Sequence, residues 1–77
     1  MKLSLRLYGH LSWYYNKAPG RFEAEVPGTP TLMEILGIFN VPGDEVSIAS
    51  VNGKRAGLDF SPSEGDHIEF FPVVSGG

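Results

Sequence analysis

The sequence predicts an α+β fold, a mixed sheet of about four to five strands with one main helix on one face. Three observations predict it. Segments in both halves of the chain alternate apolar and polar side chains, which is the period-two pattern of half-buried strands. Between them, one segment repeats its apolar residues at the spacing of a helix face. The length of 77 residues suits a single domain.

Two strands are predicted in the first third of the chain. Residues 3–8 alternate leucines with other side chains, which indicates a first strand. Residues 21–26 alternate apolar and charged side chains in the same way and indicate a second. Residues 16–20 have the composition of a turn, so we expect the two strands to pair as a wide hairpin.

The helix is predicted after residue 30. Thr29 is one candidate cap, with Pro30 in the first turn, where its missing N–H costs nothing. Thr31 is the other, with Glu34 completing a capping box. Gly37 weakens the interior by about 1 kcal/mol relative to alanine, so the helix should depend on packing. The apolar stripe consists of Leu32, Ile35, Leu36 and Phe39.

The second half of the chain predicts two further strands. Residues 46–51 form the third, and their imperfect alternation indicates either a bulge or burial on both faces. The Asn-Gly pair at 52–53 predicts a tight turn. A short link follows, in which Leu58 and Phe60 are expected to fill the core. Residues 67–72 form the last strand.

The order of elements also predicts their arrangement. The first and last strands can lie parallel at the centre of the sheet, with the helix crossing one face in the right-handed sense. This is the β-grasp arrangement of ubiquitin-like domains. Residues 1–72 are expected to form the domain, and residues 73–77 a flexible tail ending in Gly-Gly.

Composition excludes several classes of function. Six scattered lysines and arginines and a net charge of −3 argue against nucleic-acid binding. The absence of cysteine excludes disulfides, thiolate metal sites and a β-grasp ferredoxin. No apolar run is long enough for a membrane span or a signal sequence, so we expect a cytoplasmic protein without a membrane partner. His10 and His67 lack zinc-ligand spacing and are expected at the surface, so no metal is predicted.

Gly76 and Gly77 are the most informative residues. They place a carboxylate on a segment without side chains, which can enter a narrow channel in another protein. A frayed terminus or a cloning scar is the competing interpretation.

Four motifs together resemble one family. They are Val-Asn-Gly at 51–53, Glu-Gly-Asp at 64–66, Ile-Glu-Phe-Phe-Pro at 68–72 and the glycine pair at 76–77. Their order and spacing resemble the MoaD/ThiS sulfur-carrier family. The Phe-Phe-Pro before the tail is closer to the MoaD branch, the small subunit of molybdopterin synthase.

The resemblance implies that the chain is not an enzyme but a protein co-substrate, a sulfur carrier or synthase small subunit. It implies that an E1-like enzyme uses ATP to adenylate the carboxylate of Gly77. A sulfur donor such as a cysteine desulfurase then converts it to a thiocarboxylate. A synthase large subunit takes the sulfur for molybdopterin or tungstopterin, or for thiamine. Gly76 and Ser75 act as the tail spacer.

The ATP chemistry is expected to belong to the partner, because the chain has no Gly-x-x-x-x-Gly-Lys-Ser/Thr loop to hold phosphates. No cofactor is therefore expected on the chain itself. Two alternatives stay open. The chain is a ubiquitin-like modifier joined to lysines through Gly77, or a plain β-grasp interaction module.

Aromatic residues supply the candidate contact sites. If Ile68 and Phe70 face the core, alternation turns Phe71 outward. We expect Phe71, with Pro72, Val73 and Val74, to bind partners, although single exposed apolar residues are also ordinary. A further aromatic run consists of Trp13, Tyr14 and Tyr15. We expect these three rings to cover an open end of the sheet, and a second contact patch is the alternative.

Overall fold

The computed structural model describes residues 1–15 and 20–74. Within them the chain forms a five-stranded sheet in the order β2-β1-β5-β3-β4, with one α-helix. Two short 3₁₀ helices cover Gly9–Trp13 and Gly43–Glu45. The other elements are β1 (Lys2–Leu7), β2 (Arg21–Glu25), α1 (Leu32–Ile38), β3 (Val46–Val51), β4 (Lys54–Ala56) and β5 (His67–Pro72).

The two central strands of the sheet are the first and the last. β1 and β5 run parallel, with Leu5 opposite Ile68 and Leu7 opposite Phe70. β2 pairs antiparallel with β1, and β3 pairs antiparallel with β5. The predicted α+β fold, with its parallel centre and single main helix, is confirmed.

The core lies between one face of the sheet and α1. Strand alternation places the leucines of β1 and two residues of β5 on this face, where the helix covers them. Each large side chain buried here stabilises the fold by about 1.5–3 kcal/mol. The most deeply buried large residues are Leu3, Leu5, Leu11, Val26, Leu32, Ile35, Leu36, Ile68 and Phe70.

The start of α1 decides between the two candidate caps. The Thr31 side chain accepts a hydrogen bond from the Glu34 N–H at 3.2 Å. The Glu34 carboxylate accepts one from the Thr31 N–H at 2.8 Å, which completes the capping box. Thr31 is therefore the cap, and Thr29 lies exposed outside the helix.

A bulge explains the imperfect alternation of β3. The pairing with β5 shifts register between Val46 and Ile48, so the strand gains one residue there. The turn after β3 has positive φ at Asn52 (54°) and at Gly53 (84°), as a two-residue hairpin turn requires. The link after this turn begins with β4, a short edge strand.

One prediction for the link was wrong. Leu58 packs against the core, but the Phe60 side chain is 45% exposed. The link instead serves the first turn of α1 with its backbone, because the Leu32 N–H donates to the Phe60 carbonyl and the Met33 N–H donates to the Leu58 carbonyl, both at 2.9 Å. These N–H groups have no partner inside the helix, so the link satisfies them.

Within the described ranges 1–15 and 20–74, no helix has the length and apolar character that a membrane crossing demands.

Candidate functional site

The candidate site is the surface around the end of β5. The structure places Phe71, Pro72, Val73 and Val74 there. Ser75, Gly76 and Gly77 lie outside the described residues, so the predicted tail spacer and terminal carboxylate stay predictions, as does the flexible tail.

Phe71 lies on the sheet face opposite the core, as alternation predicted. Its neighbours Ile68 and Phe70 are 0% and 1% exposed on the inner face. The Phe71 ring is half-buried because it stacks on Tyr8, with ring centroids 4.5 Å apart and planes at 11°. Ile48 of β3 lies opposite Phe71 in the antiparallel pairing with β5, and its side chain is exposed. Phe71 thus belongs to an aromatic and aliphatic surface rather than standing alone.

Tyr8 is held in place by charged neighbours. Its hydroxyl donates a 2.6 Å hydrogen bond to Oε2 of Glu69, and the Arg6 guanidinium carbon lies 4.6 Å from its ring centroid. This hydrogen bond raises the pKa of Tyr8 and, since it favours the charged carboxylate, lowers the pKa of Glu69. Nη2 of Arg21 lies 4.0 Å from Oε2 of Glu69. We call Arg6, Tyr8, Ile48, Glu69 and Phe71 the outer patch.

Sequence reasoning missed Tyr8 and Glu69 as members of the site. The signal was present in part, because Tyr8 continues the outward alternation of β1. Only the parallel register reveals its partner: Leu7 lies opposite Phe70, which brings the next residue of each strand together. Glu69 was missed because its role depends on the tyrosine hydroxyl that reaches it.

The chain is anchored just before it leaves the sheet. Pro72 packs against Gly9 so closely that a Cβ on Gly9 would lie 2.9 Å from the Pro72 Cγ. The Val73 N–H donates a 2.9 Å hydrogen bond to the Glu45 carbonyl. Val74 is 78% exposed. Val73 is therefore tied to the fold by its backbone, and Val74 is the exposed last residue of the described range.

The aromatic run divides into two parts. Tyr15 packs against Phe22 and Phe39, with centroids 4.9 Å apart in both pairs, as expected for a ring that covers the core. The same expectation was wrong for Trp13 and Tyr14, which are 79% and 41% exposed. The first 3₁₀ helix turns only Leu11 fully inward, and the next two rings point to solvent.

The two histidines differ in their surroundings. His10 is half-exposed, and its Nε2 lies 3.0 Å from Oε1 of Glu45. His67 departs from the expected surface position, because its Nε2 is buried without a hydrogen-bond partner among the described residues. No group of three or more His, Asp or Glu side chains in the described ranges is arranged to hold a metal ion.

Comparisons with known proteins agree with this fold. Residues 1–76 match the family model described as Mut7-C ubiquitin. No curated protein matches the chain in sequence.

Several solved structures are similar. Small archaeal modifier protein 1 of Haloferax volcanii is 18% identical over 95% of this chain and 98% of its own, with a TM-score of 0.70. A putative molybdopterin converting factor subunit 1 from Pyrococcus furiosus is 16% identical over 96% and 99%, with a TM-score of 0.71. A chain from the complex of subunits 1 and 2 of molybdopterin-converting factor from Helicobacter pylori is 22% identical over 100% of both chains, with a TM-score of 0.60. At these identities the similarity shows the fold, and it confirms the predicted resemblance at that level.

Proposed function

The chain belongs to the Mut7-C ubiquitin family, and from that premise we propose that it is a sulfur-carrier protein rather than an enzyme. In this proposal an E1-like enzyme adenylates the carboxylate of Gly77, and sulfur from a donor such as a cysteine desulfurase converts it to a thiocarboxylate. The product donates its sulfur in molybdopterin or tungstopterin biosynthesis, or in that of thiamine. The observation that carries the proposal is that β5 ends with Phe71 in the outer patch and is followed by the exposed Val73 and Val74.

The chemistry explains why a partner must supply the activation. A carboxylate is a poor electrophile, so one of its oxygens first attacks the α-phosphate of ATP and releases pyrophosphate. Sulfide then attacks the acyl carbon and AMP leaves, which gives the thiocarboxylate. If the donor is a persulfide, the first product is an acyl disulfide, and a thiol cleaves its S–S bond to release the thiocarboxylate and a mixed disulfide. The negative charge that develops on the phosphate groups needs a preorganised electrostatic site. This sequence lacks the Gly-x-x-x-x-Gly-Lys-Ser/Thr motif that holds phosphates in many nucleotide-binding enzymes.

The geometry at the end of β5 supports delivery of a tail. In the proposal, residues 75–77 of the sequence would reach about 10 Å beyond Val74 if extended. Two of them are glycines, so the last part of this reach is as narrow as a polypeptide can be. Ordering such a segment in a channel costs about 1–2 kcal/mol per residue. This cost favours reversible binding, which a carrier that visits two enzymes needs.

The outer patch supports docking of the same partners. Aromatic residues and arginine are enriched where binding energy concentrates, and Phe71, Tyr8 and Arg6 combine both types. Their stacked arrangement is ordered before binding, which reduces the entropy lost in a complex. A similar solved structure comes from a complex of two subunits of molybdopterin-converting factor, which supports a synthase large subunit as one partner.

A second candidate is a protein modifier. It is favoured by the similarity to a protein named small archaeal modifier protein 1. A modifier would use the same activated carboxylate of Gly77 but transfer it to lysines of other proteins.

The test compares the parent with Gly77→Ala and with a chain lacking residues 76–77. We expect Gly77→Ala to impair adenylation by the activating enzyme, because a methyl group stands beside the reacting carbon, while the thermal unfolding curve stays unchanged. Deletion of both glycines should abolish adenylation and the cofactor-dependent growth of the source cells. Normal adenylation of Gly77→Ala would contradict the need for glycine at the reacting residue. Normal growth with the deletion would overturn the proposal and favour a plain interaction module.

A further inference from the structure

A second exposed surface adjoins the chain after β5. It is built from the end of the first 3₁₀ helix and from the second one, Gly43–Glu45. Glu45 connects it to the tail, because its carbonyl accepts the hydrogen bond from the Val73 N–H. We call this the aromatic–acidic surface: it consists of His10, Trp13, Tyr14, Asp44 and Glu45.

The rings of this surface are not required by the core. Leu11 is 0% exposed and fills the space beneath the 3₁₀ helix, whereas Trp13 is 79% exposed. The indole and the His10 ring meet in a T-shaped arrangement, with centroids 6.1 Å apart and planes at 62°, and most of the indole surface stays exposed to solvent. Tryptophan and tyrosine are the residues that most often anchor protein interfaces.

Two carboxylates, Asp44 and Glu45, lie near these rings. Oε1 of Glu45 accepts a 2.8 Å hydrogen bond from the Tyr14 hydroxyl and lies 3.0 Å from Nε2 of His10. The Tyr14 hydrogen bond to Glu45 raises the pKa of Tyr14, and the nearby negative charge of Asp44 contributes in the same direction. In the described ranges, no lysine or arginine nitrogen lies within 4.0 Å of either carboxylate.

We infer that the aromatic–acidic surface binds an arginine side chain of the enzyme that receives the tail. The inference rests on the proposed function for the identity of that enzyme. A guanidinium can stack on an exposed indole and donate hydrogen bonds to carboxylates. Trp13 and Glu45 both lie beside the His10 ring, so a single surface offers both groups. Arginine fits better than lysine, because its planar fork serves both contacts together. Together with the outer patch, this contact would give the enzyme a second point of attachment on the fold.

A peptide-binding measurement tests the inference without the partner enzyme. The probe is a fluorescently labelled tri-arginine peptide, titrated against the full chain and followed by anisotropy. Trp13 is the only tryptophan in the sequence, so its emission reports contact at this surface directly. We expect saturable binding with a change in Trp13 emission. A tri-lysine peptide should bind more weakly, and a tri-citrulline peptide, which has the same shape without the charge, should not bind.

Variants locate the contact. Loss of one exposed ion pair in Asp44→Asn or Glu45→Gln should weaken binding about threefold. Trp13→Ala should weaken it about threefold to fivefold through the lost cation–π contact. Asp59→Asn removes an exposed carboxylate from the link after β4 and should change nothing. Four results would each overturn the inference. Two concern the peptides: tri-citrulline binds as tightly as tri-arginine, or tri-lysine binds more tightly. The others are that Asp59→Asn weakens binding as much as the surface variants do, or that no saturable binding is seen.

The test separates this inference from the proposed function. Gly77→Ala should bind tri-arginine like the parent, because the peptide does not need the activated carboxylate. If the parent carries a thiocarboxylate but does not bind the peptide, the surface inference fails and the carrier function stands. If the parent binds the peptide but is not adenylated by the activating enzyme, the carrier function fails and the arginine-binding surface stands.

Discussion

At the scale of single residues, Phe71 should contribute both to the stability of the fold and to the binding of partners. Its ring stacks on Tyr8 and its exposed edge belongs to the outer patch. Removal of a stacked aromatic pair costs about 0.5–1.5 kcal/mol beyond the buried area. We therefore expect Phe71→Ala to lower the free energy of unfolding moderately and to weaken binding of the activating enzyme more strongly. Chemical denaturation and an affinity titration measure the two effects.

Ile38→Ala is the matched control for Phe71→Ala. Ile38 is a large apolar residue, 46% exposed, on α1 at the opposite side of the sheet. Its removal should leave affinity unchanged. An unchanged affinity for Phe71→Ala, or an equal loss in both variants, would contradict the role given to the outer patch.

The site could be predicted in part at this scale. The outward direction of Phe71 follows from alternation alone, since Ile68 and Phe70 are fully apolar neighbours on the other face. Its partner Tyr8 required the register between two strands separated by most of the chain. Such pairing is set by tertiary packing, which no local pattern contains.

At the scale of elements, the capping box of α1 gives a stability prediction. Thr31→Ala removes the side-chain oxygen that accepts the Glu34 N–H, so we expect a loss of about 1 kcal/mol. Thr29→Ala is the matched control and should change stability by less than about 0.5 kcal/mol, because Thr29 lies exposed before the helix. Urea denaturation of both variants measures this. Equal losses would show that the cap is assigned to the wrong threonine.

Gly37→Ala and Gly65→Ala should change the stability of the protein in opposite directions. Among the described residues, nothing beyond the adjoining residues and the backbone of α1 lies within 4 Å of a Cβ added to Gly37 or to Gly65, so backbone conformation distinguishes the two positions. Gly37 is inside α1, and Gly37→Ala should stabilise the protein by about 0.4–1 kcal/mol. Gly65 has a φ of +82°, so Gly65→Ala should destabilise it by about 1 kcal/mol or more. Thermal unfolding shifts of the same sign in both variants would contradict this account.

The positions that were predicted wrongly lie in segments without a long repeating pattern. The apolar character of Phe60 indicated a core position, yet its carbonyl rather than its ring is used, as the acceptor for the Leu32 N–H. The exposed Trp13 and Tyr14 were missed for a related reason. A short 3₁₀ helix has no long periodicity from which to read its buried side.

At the scale of the whole molecule, stability should fall in acid. Hydrogen bonds from the Ser63 N–H and the Asn52 side chain lower the pKa of Asp66, and the Tyr8 hydroxyl lowers that of Glu69. A lowered folded-state pKa contributes stability above the unfolded value of about 4, and this is lost as pH falls through the folded value. Thermal melts of the parent should therefore show a declining midpoint below about pH 4.

Asp66→Asn tests the source of that decline. Asparagine does not titrate, so this variant should be less stable than the parent near neutral pH and lose less stability on acidification. The Asp59 carboxylate accepts no hydrogen bond in the described part of the chain. Asp59→Asn should therefore show the same loss of stability in acid as the parent. The same pH slope in the parent and in Asp66→Asn would contradict the assignment.

The central claim is that the fold presents the Gly77 carboxylate for activation and sulfur transfer. Its most direct test is the intact mass of the full chain isolated from its source cells, with fragmentation to locate any change. The chain has no cysteine, so an added sulfur is not a persulfide on a side-chain thiol. We predict that a fraction of the molecules carries one sulfur in place of one oxygen, located at Gly77, and that this fraction is smaller in Gly77→Ala. An unmodified mass under conditions of active cofactor synthesis, or sulfur located elsewhere in the chain, would contradict it.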